Sequence, residues 1–130
     1  MKKLIVLALL LFTVSCANKP IYSVASRPMP PAAKNLTLDR LEQAIVEGGQ
    51  ARRWFFDAVA PGRLRATQDQ GKHLAIVEIL FDQSNYSINL VRTSGLKEQG
   101  TTISRHYNTW VRNLEDDIYA SVIRASYRTQ

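Results

Sequence analysis

The sequence predicts an α+β fold: a two-layer sandwich in which a three-stranded antiparallel meander carries two helices on one face, in the order α-β-β-β-α. Three observations point to it. The stretch from about Ser104 to Ser126 places Tyr107, Trp110, Val111, Leu114, Ile118, Val122 and Ala125 on one stripe at helical spacing. The run from His73 to Phe81 is apolar on both faces apart from Glu78, as in a strand with neighbours on either side. Tyr86 to Thr93 alternates, with Tyr86, Ile88 and Leu90 opposite Ser87, Asn89 and Val91, the pattern of a half-exposed strand.

The remaining elements follow in order. Leu36 opens a helical pattern in which Thr37 is the candidate N-cap, Asp39 sits in the first turn, and Leu38, Leu41 and Ile45 recur at helix spacing. Gly48-Gly49 is expected to end that helix, one of them in a left-handed C-cap. Trp54 to Val59 and Arg63 to Gln68 flank Pro61-Gly62, and are expected as one long strand bent at the Pro-Gly or as two short strands. Turns are expected at residues 69–72 and 82–85 and a loop at residues 94–100, and Glu115-Asp116-Asp117 are expected on the wet side of the last helix, opposite its apolar stripe.

With 130 residues, the chain is long enough for one domain and too short for a large two-domain enzyme. Its formal charge of +6 is unevenly placed. Residues 1–35 hold five basic side chains and no acid, whereas residues 36–130 hold 12 basic and 11 acidic ones. The folded part is close to neutral, which argues against a nucleic-acid partner.

The N-terminus carries the most specific signal. Lys2-Lys3 precedes an unbroken apolar run, Leu4 to Phe12, and Thr13-Val14-Ser15 leads into Cys16, the single cysteine of the chain. A bilayer-spanning helix needs roughly 20 apolar residues, so this run reads as the core of a signal peptide. The arrangement resembles the lipobox of bacterial lipoproteins, with Thr13 standing where such motifs usually carry Leu. The resemblance implies cleavage after Ser15, a lipidated Cys16 with three acyl chains, and, with Ala17 rather than Asp next, the outer membrane of a Gram-negative cell with the domain facing the periplasm. Residues 1–15 are then a signal peptide and residues 16–35 a lipidated cysteine followed by a Pro-rich tether. Residues 36–130 are the domain.

Residues 17–35 hold four of the five prolines and no periodic pattern. Stretched out at roughly 3.3 Å per residue they would reach about 60 Å, enough to lift a domain off the headgroups. Lys19, Arg27 and Lys34 are expected near the membrane or in solvent. Ile21 to Val24 is the one place where a short strand could dock on the domain edge. Across the domain, Trp54, Pro61-Gly62, His73, Ala75, Tyr86-Ser87-Ile88, Tyr107-Asn108, Trp110 and Leu114 resemble small uncharacterised lipoproteins of Gram-negative bacteria. That likeness implies an envelope location and brings no catalytic residues with it.

No catalytic constellation stands out. There is no Gly-x-Ser-x-Gly elbow and no glycine-rich phosphate loop, and the one thiol is assigned to lipid, which leaves no cysteine for zinc. No cofactor is implied and the domain is expected to be non-catalytic. Two readings of function remain. In the first, the sheet face bearing Arg65, Leu74, Ile76, Glu78, Asn89 and Val91 stays uncovered and docks an envelope protein or a cell-wall component. Glu78 is then also expected to pair across strands with Arg63 or Arg65. The second is a metal-binding protein or metal-dependent enzyme that brings His73 and His106 together with Asp69 or Glu98. The aromatics Trp54, Phe55, Phe56, Tyr107 and Trp110 are expected mainly in the core, with at least one of the first three facing outward.

Overall fold

The computed structural model describes residues 18–128, so the signal peptide and Cys16 lie outside the described residues. The chain runs β1 (Asn18–Pro20), β2 (Val24–Pro28), a 3-10 helix (Pro31–Asn35), α1 (Leu38–Gln50), β3 (Phe55–Ala60), β4 (Arg63–Asp69), β5 (Leu74–Phe81), β6 (Asn85–Ser94), β7 (Thr102–Ser104) and α2 (Arg105–Arg128).

The class is α+β, but the sheet is not the expected three-stranded meander. It has five antiparallel strands in the order β2-β6-β5-β4-β3, and β1 pairs with β7 in a separate two-stranded sheet. Two features of the sequence account for the difference. Pro61-Gly62 reverses the chain completely: Gly62 adopts φ +76°, a conformation that suits glycine, and Ala58 comes to lie opposite Leu64. The Gly62 carbonyl also accepts the Phe81 amide at 2.9 Å, which holds the turn against the end of β5.

The second feature is the proline-rich segment. From Asn18 onward it is built into the fold instead of forming an extended tether. β2 adds to the free edge of β6, with Val24 opposite Ile88 and Pro28 opposite Asn85. Proline lacks an amide to donate, and an edge strand tolerates that loss. The docked strand therefore starts three residues later than the stretch singled out in the sequence and shares only Val24 with it. All three basic residues there belong to the fold: Lys19 lies in β1 opposite Ile103, Arg27 is bound to α2, and Lys34 lies in the 3-10 helix.

α1 begins as expected, with the Thr37 hydroxyl oxygen accepting the Arg40 amide at 3.2 Å. It does not end at the glycines. Gly48 and Gly49 are buried inside the helix, and the left-handed residue beyond it is Arg53 at φ +69°. Their lack of a side chain lets α1 and α2 approach closely: a Cβ on Gly48 would lie 2.8 Å from the Asp117 carbonyl oxygen. Beside this crossing, the Ser121 hydroxyl donates to the Ala44 carbonyl at 2.6 Å.

One face of the sheet takes both helices. Leu64, Ala66, Ala75, Val77, Ile79, Tyr86 and Ile88 meet Leu41 and Ile45 of α1 and Tyr107, Val111, Leu114, Ile118 and Val122 of α2, all of them buried. Among the described residues no helix is long and apolar enough to cross a membrane. The acidic triplet of α2 is also not uniformly wet. The Asp116 side chain is 77% exposed, whereas Glu115 at 13% engages Arg27 and Asp117 at 23% engages Arg52.

Candidate functional site: the uncovered sheet face

Residues directly opposite one another share a face, so the register defines the surface that the helices leave open. One row crosses four strands as Asp57, Arg65, Glu78 and Asn89. The row toward the start of β5 is Phe55, Thr67, Ile76 and Arg92, and Leu74 lies beyond it opposite Ser94. The row on the other side places Arg63, Leu80 and Ser87 together. A bulge falls between Ile76 and Val77: Ile76 faces Arg92 while Val77 faces Leu90, so Val91 is an extra residue with no partner of its own.

The structure thus brings Arg65, Leu74, Ile76, Glu78 and Asn89 onto one face, with Val91 exposed beside them at the bulge. The cross-strand pair forms through Arg63: its Nε and Nη2 each lie 2.8 Å from Glu78 Oε2. With Arg63 46% exposed, such a pair is worth about 0–1 kcal/mol, so it shapes the face more than it stabilises the fold.

Around this charged centre stand apolar side chains that the helices cannot reach. Phe55 is 67% exposed, Val91 43% and Leu80 41%. With the polar row between them they give the face a mixed apolar and polar character, which suits a docking surface. Phe55 was missed as a member of this face. The signal was available, because Trp54 and Phe56 are drawn inward, Trp54 to 2% exposure, and alternation then sends Phe55 outward. Tyr107 is buried and Trp110 packs partly against the core, so these aromatics form no continuous platform.

The histidines do not build a metal site. His73 Nδ1 lies 2.9 Å from the Gly95 carbonyl oxygen, and His106 is exposed at the start of α2. The nearby acids have other partners: Glu98 accepts the Thr93 hydroxyl at 2.6 Å, and Asp69 accepts the Gly71 amide at 3.0 Å. Among the described residues no three His, Cys, Asp or Glu side chains are grouped so as to hold a metal ion.

A second polar cluster lies on the helix side, at the edge strand. Arg27 Nη1 reaches Glu115 at 2.9 Å and Asp116 at 3.5 Å, and its guanidinium sits 4.6 Å from the Tyr119 ring centre. The Tyr22 hydroxyl donates to Glu115, and Arg112 lies 4.6 Å over the Tyr22 ring. The bond to Glu115 and partial burial both raise the Tyr22 pKa above its ordinary value. Asn108 completes the arrangement by accepting the Tyr22 amide and donating to the Pro20 carbonyl, each at 2.9 Å. These contacts tie the N-terminal segment to α2 and hold it in place.

Comparison with known proteins adds no assignment. No family model, curated protein or solved structure matches the chain.

Proposed function

We propose that this chain is a lipid-anchored lipoprotein of the cell envelope whose domain is a non-catalytic binding or scaffolding module. Cys16 is the anchor, in the outer membrane, and the domain faces the periplasm. The open sheet face is the docking surface, and its occupant is an envelope protein or cell-wall component. The observation that carries the docking role is the exposed apolar set Phe55, Leu80 and Val91 surrounding the Arg63–Glu78 pair. Apolar side chains would supply burial on association, and the ion pair with Asp57, Arg65 and Asn89 would supply register.

The anchor rests on the Lys2-Lys3, Leu4–Phe12, Ser15-Cys16 pattern. An envelope location also gives the lone cysteine a use that a disulfide does not.

A photo-crosslinking residue placed at Phe55 or Val91 in cells tests the docking role, with one at Asp39, at the start of α1, as the control. The same partner should be captured from both sheet positions and not from Asp39. Equal capture from all three positions, or none from the sheet face, would overturn the assignment.

A further inference from the structure

We propose that the end of the domain nearest Cys16 is a docking surface for anionic phospholipid headgroups, so that the protein lies directly on the membrane that anchors it. The proposal rests on the lipid anchor at Cys16 and adds to it an orientation and a lipid class.

The first ground is chain length. β1 begins at Asn18, and its register with β7, Asn18 opposite Ser104 and Pro20 opposite Thr102, fixes it to the body of the domain. The Asn18 side chain also donates to the Lys97 carbonyl at 3.5 Å. From Cys16 to Asn18 the chain can span only about 7 Å. An acylated Cys16 therefore draws this end of the domain into the headgroup region, where a long tether would have left it remote.

The second ground is charge. The strand register places the end of β4, the start of β5, the end of β6, and β1, β7 and the start of α2 at this end. Lys19, Lys72, Arg92, Lys97 and Arg105 belong to these segments and all five are exposed. None makes an ion pair with another described residue; the pairs that form use Arg27, Arg52, Arg63 and Arg128. The acids at this end, Asp69 and Glu98, are bonded to the Gly71 amide and the Thr93 hydroxyl. At the opposite end Asp39 and Glu42 line a hollow with Pro61 and Phe81, and Asp82 caps the turn before β6. Lys34 and Arg40 are close to them in the chain, so acid and base nearly balance there. The near-neutral domain is thus polarised along its strands, with the basic end at the anchor.

Basic side chains close to a membrane are attracted to anionic headgroups over a Debye length of about 10 Å at moderate salt. Docked this way, the strands stand on the membrane and the open face looks sideways, clear of the lipid and accessible to a partner.

The four described lysines make the test internal to the protein. Lys19, Lys72 and Lys97 lie at the anchor end and Lys34 at the other. The full acylated protein is reconstituted in phosphatidylethanolamine vesicles containing phosphatidylglycerol, or phosphatidylcholine in its place. Amine-labelling rates are read by mass spectrometry together with the acyl mass on Cys16. With phosphatidylglycerol, Lys72 and Lys97 should label roughly five-fold more slowly and Lys34 at an unchanged rate, with the protection lost in about 1 M salt. A Lys72→Glu, Lys97→Glu variant should lose the phosphatidylglycerol-dependent protection of Lys19. Acylated protein whose Lys72 and Lys97 label as fast as Lys34, or equally in both vesicles, would overturn the docking and leave the anchor standing. Absence of acyl mass on Cys16 would overturn both.

Discussion

The Tyr22 hydroxyl and the Glu115 carboxylate, 93 positions apart in the chain, are joined by a hydrogen bond that straps the N-terminal segment across α2. Glu115 also accepts Arg27, so one carboxylate fastens both the approach to β2 and β2 itself. Removing it leaves a hydroxyl and a guanidinium without their shared partner. Glu115→Ala should destabilise the domain by about 2 kcal/mol, and Tyr22→Phe by about 1 kcal/mol. Denaturant unfolding measures both. An unchanged midpoint for Glu115→Ala would show that the strap carries no stability.

Tyr22 and two buried tyrosines, Tyr86 and Tyr107, make the fold sensitive to alkali. The bond to Glu115 raises the Tyr22 pKa first, and burial adds to it; burial pushes Tyr86 and Tyr107 up strongly. In the unfolded chain each titrates near 10. Above about pH 10 the unfolded state therefore holds fewer protons than the folded one. The stability these groups contribute is fully present below that pH and is lost as pH rises toward the folded values. The unfolding free energy should fall with a slope of up to about 1.4 kcal/mol per pH unit for each such tyrosine. Denaturant melts at pH 9 and pH 11 (roughly one unit either side of the free tyrosine value) read this directly, and Tyr22→Phe should be less steep. Equal stability at both values would contradict the burial of these hydroxyls.

Gly48→Ala isolates the helix crossing. Alanine is the better helix former by about 1 kcal/mol, yet its Cβ would sit 2.8 Å from the Asp117 carbonyl and 3.0 Å from Ser121 Cβ. Backbone cannot yield as a side-chain tip can, so separation of the helices should dominate. The net effect should be a loss of about 1–2 kcal/mol. A stabilised variant would mean that the two helices are not held this closely.

Much of the domain core was legible because it obeys simple periods. The α2 stripe, the doubly apolar β5 and the alternation of β6 each follow from one face being buried. Glu78, Asn89 and Arg65 were placed on a common face by the same rule. What the periods could not reveal was pairing partners. Pro61-Gly62 is compatible with a bent strand or a hairpin, and only contact with the end of β5 decides between them. The segment from Asn18 to Pro28 has no apolar period at all. Its place is set by edge hydrogen bonds to β6 and by side chains of α2 far along the chain. The glycines misled for a related reason: their value at Gly48 and Gly49 lies in what α2 brings against them, which no local pattern contains. The bulge that frees Val91 is likewise a property of two strands together.

Charge placed on the open face should separate binding from folding. Ile76→Lys and Val91→Lys alter side chains opposite the helix-covered face, and each should shift stability by no more than about 1 kcal/mol. Capture of the envelope partner should be lost in both. Retained capture with an intact fold would move the docking surface elsewhere on the molecule.

Cys16→Ser should stop acylation, because a hydroxyl is a far poorer nucleophile than a thiolate for accepting the diacylglyceryl group. By the likeness to lipoproteins, processing after Ser15 should fail with it. Membrane fractionation should then find a longer precursor retained at the inner membrane through Leu4–Phe12. A variant that fractionates like the wild type would contradict this route.

The central claim, that the domain is tethered to the envelope through lipid on Cys16, is tested most directly by the intact mass of the mature chain purified from membranes. The expected mass is that of residues 16–130 plus a diacylglyceryl group and one further acyl chain. A chain that begins at Cys16 without added acyl mass, or one that begins elsewhere, would contradict it.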